Sequence, residues 1–284
     1  MKIESIPSYP HIHVTKPQAI IDNQTGVASM KVLLVFNKLS DFKDKIYQSF
    51  LGKLGEKAHV DVYVHQVTPL STQHFDQVIR ERITEYDHVA VLLHSSYLHE
   101  DVLKTLNSIP KEKLLILDKR NEFIRGEYAC VYHDFEEGIQ RIFSEIKDSL
   151  SKYQTINLVV NESNTIAKSL EDGIQKFARQ YSFDFHVINE IKEEVVKPNQ
   201  VFLILSEQGL ADILKLCTKR QLSLGKNIGI ISYNETPLKE VLCGGISVVT
   251  INYEELGRQA ADLILQRKKE HIKTPIRFIQ RNSL

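Results

Sequence analysis

The chain has 284 residues, 42% hydrophobic and 25% charged, a balance typical of globular proteins and contrary to wholesale disorder. Lysine plus arginine and aspartate plus glutamate each total 36, so the formal net charge is zero. That argues against non-specific nucleic-acid binding, which needs a concentrated positive field, while leaving a local basic patch open, and the length suits two α/β lobes better than one core. Cys130, Cys217 and Cys243 lie far apart with no CxxC pair. They are expected as buried, inert thiols in a reducing compartment, not as a disulfide framework or zinc site. Residues 1–29 show no apolar signal-like region, and no run is long enough to span a bilayer. The expectation is a cytoplasmic protein with no membrane partner.

From Met30 onward, strand and helix patterns alternate. Lys31–Phe36 is an apolar run of the kind buried on both faces of a parallel sheet. Asn37 and Ser40 offer capping oxygens to a helix with Phe42, Ile46, Phe50 and Leu54 on one face. Strand signals follow at 60–64, 89–93, 114–117 and 129–132, with a helix over 72–86. Phe135, Ile139, Ile142, Phe143, Ile146 and Leu150 then mark one long amphipathic helix. At Ile156 the cycle restarts. Strands are expected at 156–160, 185–188, 201–205, 228–231 and 246–251, helices near 166–181, 209–222 and 254–269, and a final strand from Pro275.

This pattern predicts an α/β fold of two doubly wound parallel-sheet lobes with an interlobe ligand cleft. Residues 1–29 read as an arm or linker, 30–152 as the first lobe and 153–284 as the second, the final strand returning towards a hinge near Lys152–Thr155.

Catalytic and cofactor fingerprints are missing. Neither half opens on GxGxxG or GxxxxGK[ST], and no GxSxG is present. Gly244-Gly245 reads as a turn admitting positive φ. His94, His99 and Glu100 match no helical metal-binding spacing, and Asp134 beside His133 and Glu136 reads as a helix cap. The Arg267-Lys268-Lys269 run suits a helix C-terminus. No cofactor, metal or catalytic residue is expected.

In open α/β sheets, ligands bind beyond the carboxyl ends of the strands. The polar residues there are Asn37, Lys38 and Ser40; His94 and Ser95; Asp118 and Lys119; and His133 and Asp134. The second half offers Asn161 and Glu162; Ser206 and Glu207; and Tyr233, Asn234 and Glu235. Carboxylates and amides can take paired hydrogen bonds from adjacent hydroxyls, and Tyr97 or Tyr233 could cover an apolar sugar face. Capping of the following helices is the competing explanation for any one of them.

Two stretches carry a family resemblance. One is Gly229–Leu238, Ile246–Ile251, Tyr253–Ala261 and Pro275–Ser283 in that order; the other is Lys31–Ser40 with Leu117-Asp118-Lys119. The chain resembles the effector-binding, periplasmic-binding-protein-like domain of LacI/GalR transcriptional regulators, and more closely the GntR-headed regulators with the same sensor. The resemblance implies a sensor of a small polar metabolite, of the sugar class, that closes its lobes on the ligand and forms homodimers. Family members often carry Gly-Phe/Tyr-Asp-Asp where this chain has Ser232-Tyr233-Asn234-Glu235, so Asn234 stands in place of the first aspartate. Residues 1–29 contain Pro7, Pro10 and Pro17 and no amphipathic stripe, so no DNA-binding headpiece is seen. DNA would be met only through a headpiece outside this chain. The alternatives are a free-standing solute-binding protein and a carbohydrate-active enzyme using the cleft.

Overall fold

The computed structural model describes residues 29–36, 40–64, 71–92, 100–160 and 166–284. The strands form two separate six-stranded sheets. The first contains β1 (Met30–Phe36), β2 (Ala58–Val64), β3 (His88–Leu92), β4 (Leu114–Asp118), β5 (Ala129–His133) and β11 (His271–Thr274). Their order is β11-β5-β4-β3-β1-β2, with every pair parallel. The second contains β6 (Thr155–Val159), β7 (Asp184–Ile188), β8 (Gln200–Ile204), β9 (Ile228–Tyr233), β10 (Ser247–Ile251) and β12 (Ile276–Ile279). Its order is β12-β10-β9-β8-β6-β7, parallel except that β12 runs antiparallel to β10.

Each sheet is sandwiched between helices because its strands are apolar on both faces. In β1, Val32, Leu34 and Phe36 enter one core and Leu33 and Val35 the other. The first core is closed by α1 (Asp41–Leu54) and α9 (Tyr253–Gln266), the second by α2 (Ser71–Arg82) and α3 (Glu100–Ser108). On the second sheet, α4 (Phe135–Glu145), α5 (Lys147–Leu150) and α6 (Ala167–Tyr181) cover one face and α7 (Glu207–Lys219) the other. A short α8 (Pro237–Val241) begins with proline, as a missing N–H allows, and its Lys239 carbonyl accepts from the Ile246 N–H at 2.7 Å.

The chain passes between the sheets three times: from β5 into α4, from β10 into α9, and from β11 into β12. This corrects the expected division at Lys152. Residues 135–150 pack in the core of the second sheet, while α9 and β11 pack with the first. An amphipathic stripe reports that a helix is half buried, not which sheet it meets. The expected final strand from Pro275 is found as β12, beginning at Ile276, and Pro275, which supplies no N–H, separates it from β11 in the other sheet. Helix α3 and strand β11 were not among the expected elements.

Caps behave unevenly. Asp134 accepts from Glu137 N at 3.1 Å, Ser206 from Gly209 N at 3.1 Å and Asn252 from Glu255 N at 3.2 Å. Ser40 holds the N-cap position of α1 but makes no side-chain cap bond. Gly244 and Gly245 have φ of 78° and 109°, as the expected turn requires. Burial pushes the Cys130 thiol up to about 12 and that of Cys217 up to about 11, leaving both unreactive. Cys243 departs from expectation: it is exposed, on a turn with φ 53°.

Candidate functional site

The ends of β4, β5, β9 and β10 bring a polar and aromatic cluster together where the chain crosses between sheets. Asp118 closes β4 with φ 77°, a left-handed conformation that aspartate tolerates better than most residues. Its negative charge favours the protonated forms of Tyr233, Tyr253 and His133, an effect smaller than that of burial at each of them. Tyr233 ends β9 in the other sheet, so the cluster joins both halves of the molecule.

Aromatic rings form its walls. Phe135 lies edge-on to both His133 and Tyr233, with ring centroids 6.0 and 6.3 Å apart. Tyr253, the first residue of α9, stacks on Phe42 of α1 at 5.1 Å. Its hydroxyl donates to Asn234 Oδ1 at 2.8 Å. Burial is the largest cause holding the Tyr233 and Tyr253 hydroxyls protonated, and the Asp118 charge adds to it. Both are therefore neutral hydrogen-bonding groups at physiological pH.

Asn234 has φ 64°, and its N–H donates to Val249 O at 2.8 Å. With Oδ1 occupied by Tyr253, its amide Nδ2 makes no hydrogen bond among the described residues. Sequence reasoning located this side chain without foreseeing its partner.

His133 is 5% exposed. Nδ1 lies 2.6 Å from Thr274 Oγ1 and 3.1 Å from Thr274 O, while Thr274 Oγ1 donates to Tyr132 O at 3.1 Å. With the threonine proton committed to Tyr132, this network assigns the imidazole proton to Nδ1. Nε2 is then a buried acceptor with no partner among the described residues. Burial, the largest cause, holds the imidazole below its ordinary pKa, against the opposing pull of Asp118 and the Thr274 carbonyl. The unfolded chain therefore binds this proton more readily than the folded one. The resulting stability is present above the unfolded histidine value and is lost as pH falls below it. Urea midpoints at pH 7.5 and pH 5 should show a smaller acid-induced loss in His133→Gln than in the parent. His88 and His271 are shifted in the same direction and keep some of the slope in both proteins. An unchanged slope would contradict this assignment.

The other candidates disperse. Glu207 is 68% exposed at its side chain and pairs with Lys239 at 2.7 Å. Glu235 is committed to Arg281 at 2.8 Å. Asp134 spends one oxygen capping α4 and lies 3.9 Å from Lys273. Lys119 is partly buried beside Asp118, and desolvation lowers its pKa. Ser206 is a cap, and Ser40 stands at the start of α1. Asn37, Lys38, His94, Ser95, Tyr97, Asn161 and Glu162 lie outside the described residues. Sequence reasoning missed Tyr253 and Phe135 as cluster members because each reads as part of a helix stripe. No group of three metal-binding side chains occurs among the described residues, and no described helix is long and apolar enough to cross a membrane.

Residues 128–284 match the sequence model of the periplasmic binding protein-like domain. No curated protein matches the chain. Among solved structures, the lac repressor bound to ONPG in its repressed state superposes with a TM-score of 0.73 at 12% identity, covering 95% of this chain and 86% of that one. A probable maltose operon transcriptional repressor from Staphylococcus aureus gives 0.70 at 16% identity, over 89% of this chain and 97% of that one. A LacI-family putative transcription repressor from Corynebacterium glutamicum gives 0.62 at 18% identity, over 89% and 98%. At these identities the likeness is one of fold.

Proposed function

The chain belongs to the periplasmic binding protein-like domain family, and from that premise we propose that it is the small-molecule-sensing domain of a bacterial transcriptional regulator. The observation that carries this is the joining of the two sheets at the crossovers, where Phe135 after β5 lies edge-on to Tyr233 of β9 and Tyr253, stacked on Phe42 of α1, bonds Asn234. A ligand held by both halves stabilises one relative arrangement over others, which is how binding becomes a signal. The solved structures of similar fold include several transcriptional repressors, which favours a regulator over a free-standing solute-binding protein.

The ligand is a neutral, hydroxylated metabolite of the sugar class. Asp118 accepts from its hydroxyls, the Asn234 amide donates, and the rings of Tyr233 and Phe135 cover its apolar face. Asn37, Lys38, His94, Ser95, Lys119 and Asn161 complete the set at the remaining strand ends. The protein acts in the cytoplasm as a homodimer with a GntR-type or LacI-type DNA-binding partner domain, and performs no catalysis.

A thermal-shift screen against monosaccharides, sugar acids and sugar phosphates tests this reading. Saturating ligand raises the melting temperature by mass action, while turnover would consume the ligand and favour an enzyme. Asn234→Gly then removes the amide yet keeps the left-handed backbone, which Asn234→Ala would strain. Calorimetric titration should show a loss of about 1–3 kcal/mol for one buried hydrogen bond. Unchanged affinity removes Asn234 from the site.

A further inference from the structure

Lys239 is the one charged residue among the described residues that is almost wholly buried, 1% exposed. An ammonium in that position is costly unless all three of its donors are satisfied. Here Nζ donates to Tyr233 O at 2.7 Å, to Asn234 O at 2.9 Å and to Glu207 Oε1 at 2.7 Å. The two carbonyls belong to the last residue of β9 and to the left-handed residue after it, where the ladder to β8 has already ended at Ser232. Around them, Asn234 N is held by Val249 O and Glu235 N by Thr250 Oγ1 at 3.2 Å. The loop is thus fixed by N–H bonds to β10 and by one cation on its two successive carbonyls.

We propose that Lys239 is a positioning residue that sets the conformation of the Tyr233–Glu235 loop and thereby aims the Asn234 amide. Its ammonium lies on the carbonyl side of the loop and does not itself meet the ligand. Without it, two carbonyls lose a charge-assisted bond, and nothing else in the described structure supplies one. The left-handed conformation at Asn234 then has less to hold it against extended alternatives. Glu207 neutralises the ammonium from a largely exposed position, so it balances charge without fixing the loop. The proposal deepens the sensing reading and rests on it for its purpose, but the loop's order can be measured with no ligand present.

The experiment is amide hydrogen exchange, followed by NMR, on the parent, Lys239→Met and Glu207→Gln without any added sugar. In Lys239→Met the Asn234 and Glu235 amides should exchange at least about tenfold faster, while amides of β6 and α6 keep their rates to within about twofold. A role confined to overall stability would instead accelerate the slowest amides everywhere, and that result overturns the proposal. Glu207→Gln should leave the loop amides near parental rates; loosening equal to that of Lys239→Met would show that the ion pair holds the loop, and would also overturn it. If Lys239→Met does not fold, Lys239→Gln is read by the same criterion. A null result in the sugar screen alongside local loosening would reject the sensing reading while leaving the loop brace standing.

Discussion

Phe177→Ala should destabilise the protein by about 3–5 kcal/mol, the range for removing a buried aromatic ring. Phe177 is fully buried on α6, at the centre of the core that covers one face of the second sheet. Its ring meets Phe143 of α4 edge-on at 5.6 Å and a 90° interplanar angle, stacks on Phe183 at 5.6 Å, and touches Tyr181 at 4.8 Å. Truncation leaves a cavity walled by three stiff aromatic rings, none of which can collapse into it without leaving its own partners. Phe177→Leu retains much of the volume and should recover more than half of the loss. Urea unfolding of both variants measures this directly. A loss below about 1 kcal/mol for the alanine variant would mean that α4 and α6 are held together by something other than this cluster.

Such cores were the most legible part of the sequence. Strands such as Leu33–Phe36 and Val201–Ile204 are buried on both faces, so they appear as unbroken apolar runs with few competing explanations. Topology was less legible. The stripe of Phe135, Ile139, Ile142 and Phe143 looks the same whether α4 lies on the first sheet or the second; the decision is made by partners such as Phe177, far away in sequence. Strand β11 was invisible because His271–Thr274 has little apolar pattern, and its strand character comes from pairing with β5. At the candidate site, Tyr233 and Asn234 were readable as the polar end of a buried strand. Lys239 was not: a lysine in sequence reads as exposed, and only three converging oxygen atoms explain its burial. His133 was readable only as a strand end, because its partner Thr274 is 141 positions away.

Gly257→Val should be the most disruptive single change on α9, destabilising by about 3 kcal/mol through overpacking. Gly257 is buried where α9 crosses α1, with no room for a side chain. A Cβ there would overlap the Ile46 carbonyl oxygen and Ser49 Oγ and lie 3.1 Å from Phe50 N. Ser49 can rotate away, but Ile46 O and Phe50 N are backbone atoms of a rigid helix, so the helices themselves must part. The displacement reaches the candidate site, because Tyr253 at the start of α9 stacks on Phe42 of α1 and bonds Asn234. Gly52 supplies the control. It sits inside α1 with nothing within 4 Å of an added Cβ, so Gly52→Ala should be neutral or stabilise by up to about 1 kcal/mol through helix propensity. Denaturation midpoints and the NMR shifts of Tyr253 and the Asn234 side-chain amide, compared across the two variants, separate the cases. Gly257→Val should lower the midpoint and move both signals, while Gly52→Ala should do neither. Should Gly257→Val keep the parental midpoint, the close α1–α9 crossing would be wrong, and with it the route by which the first half of the molecule holds Tyr253 against Asn234.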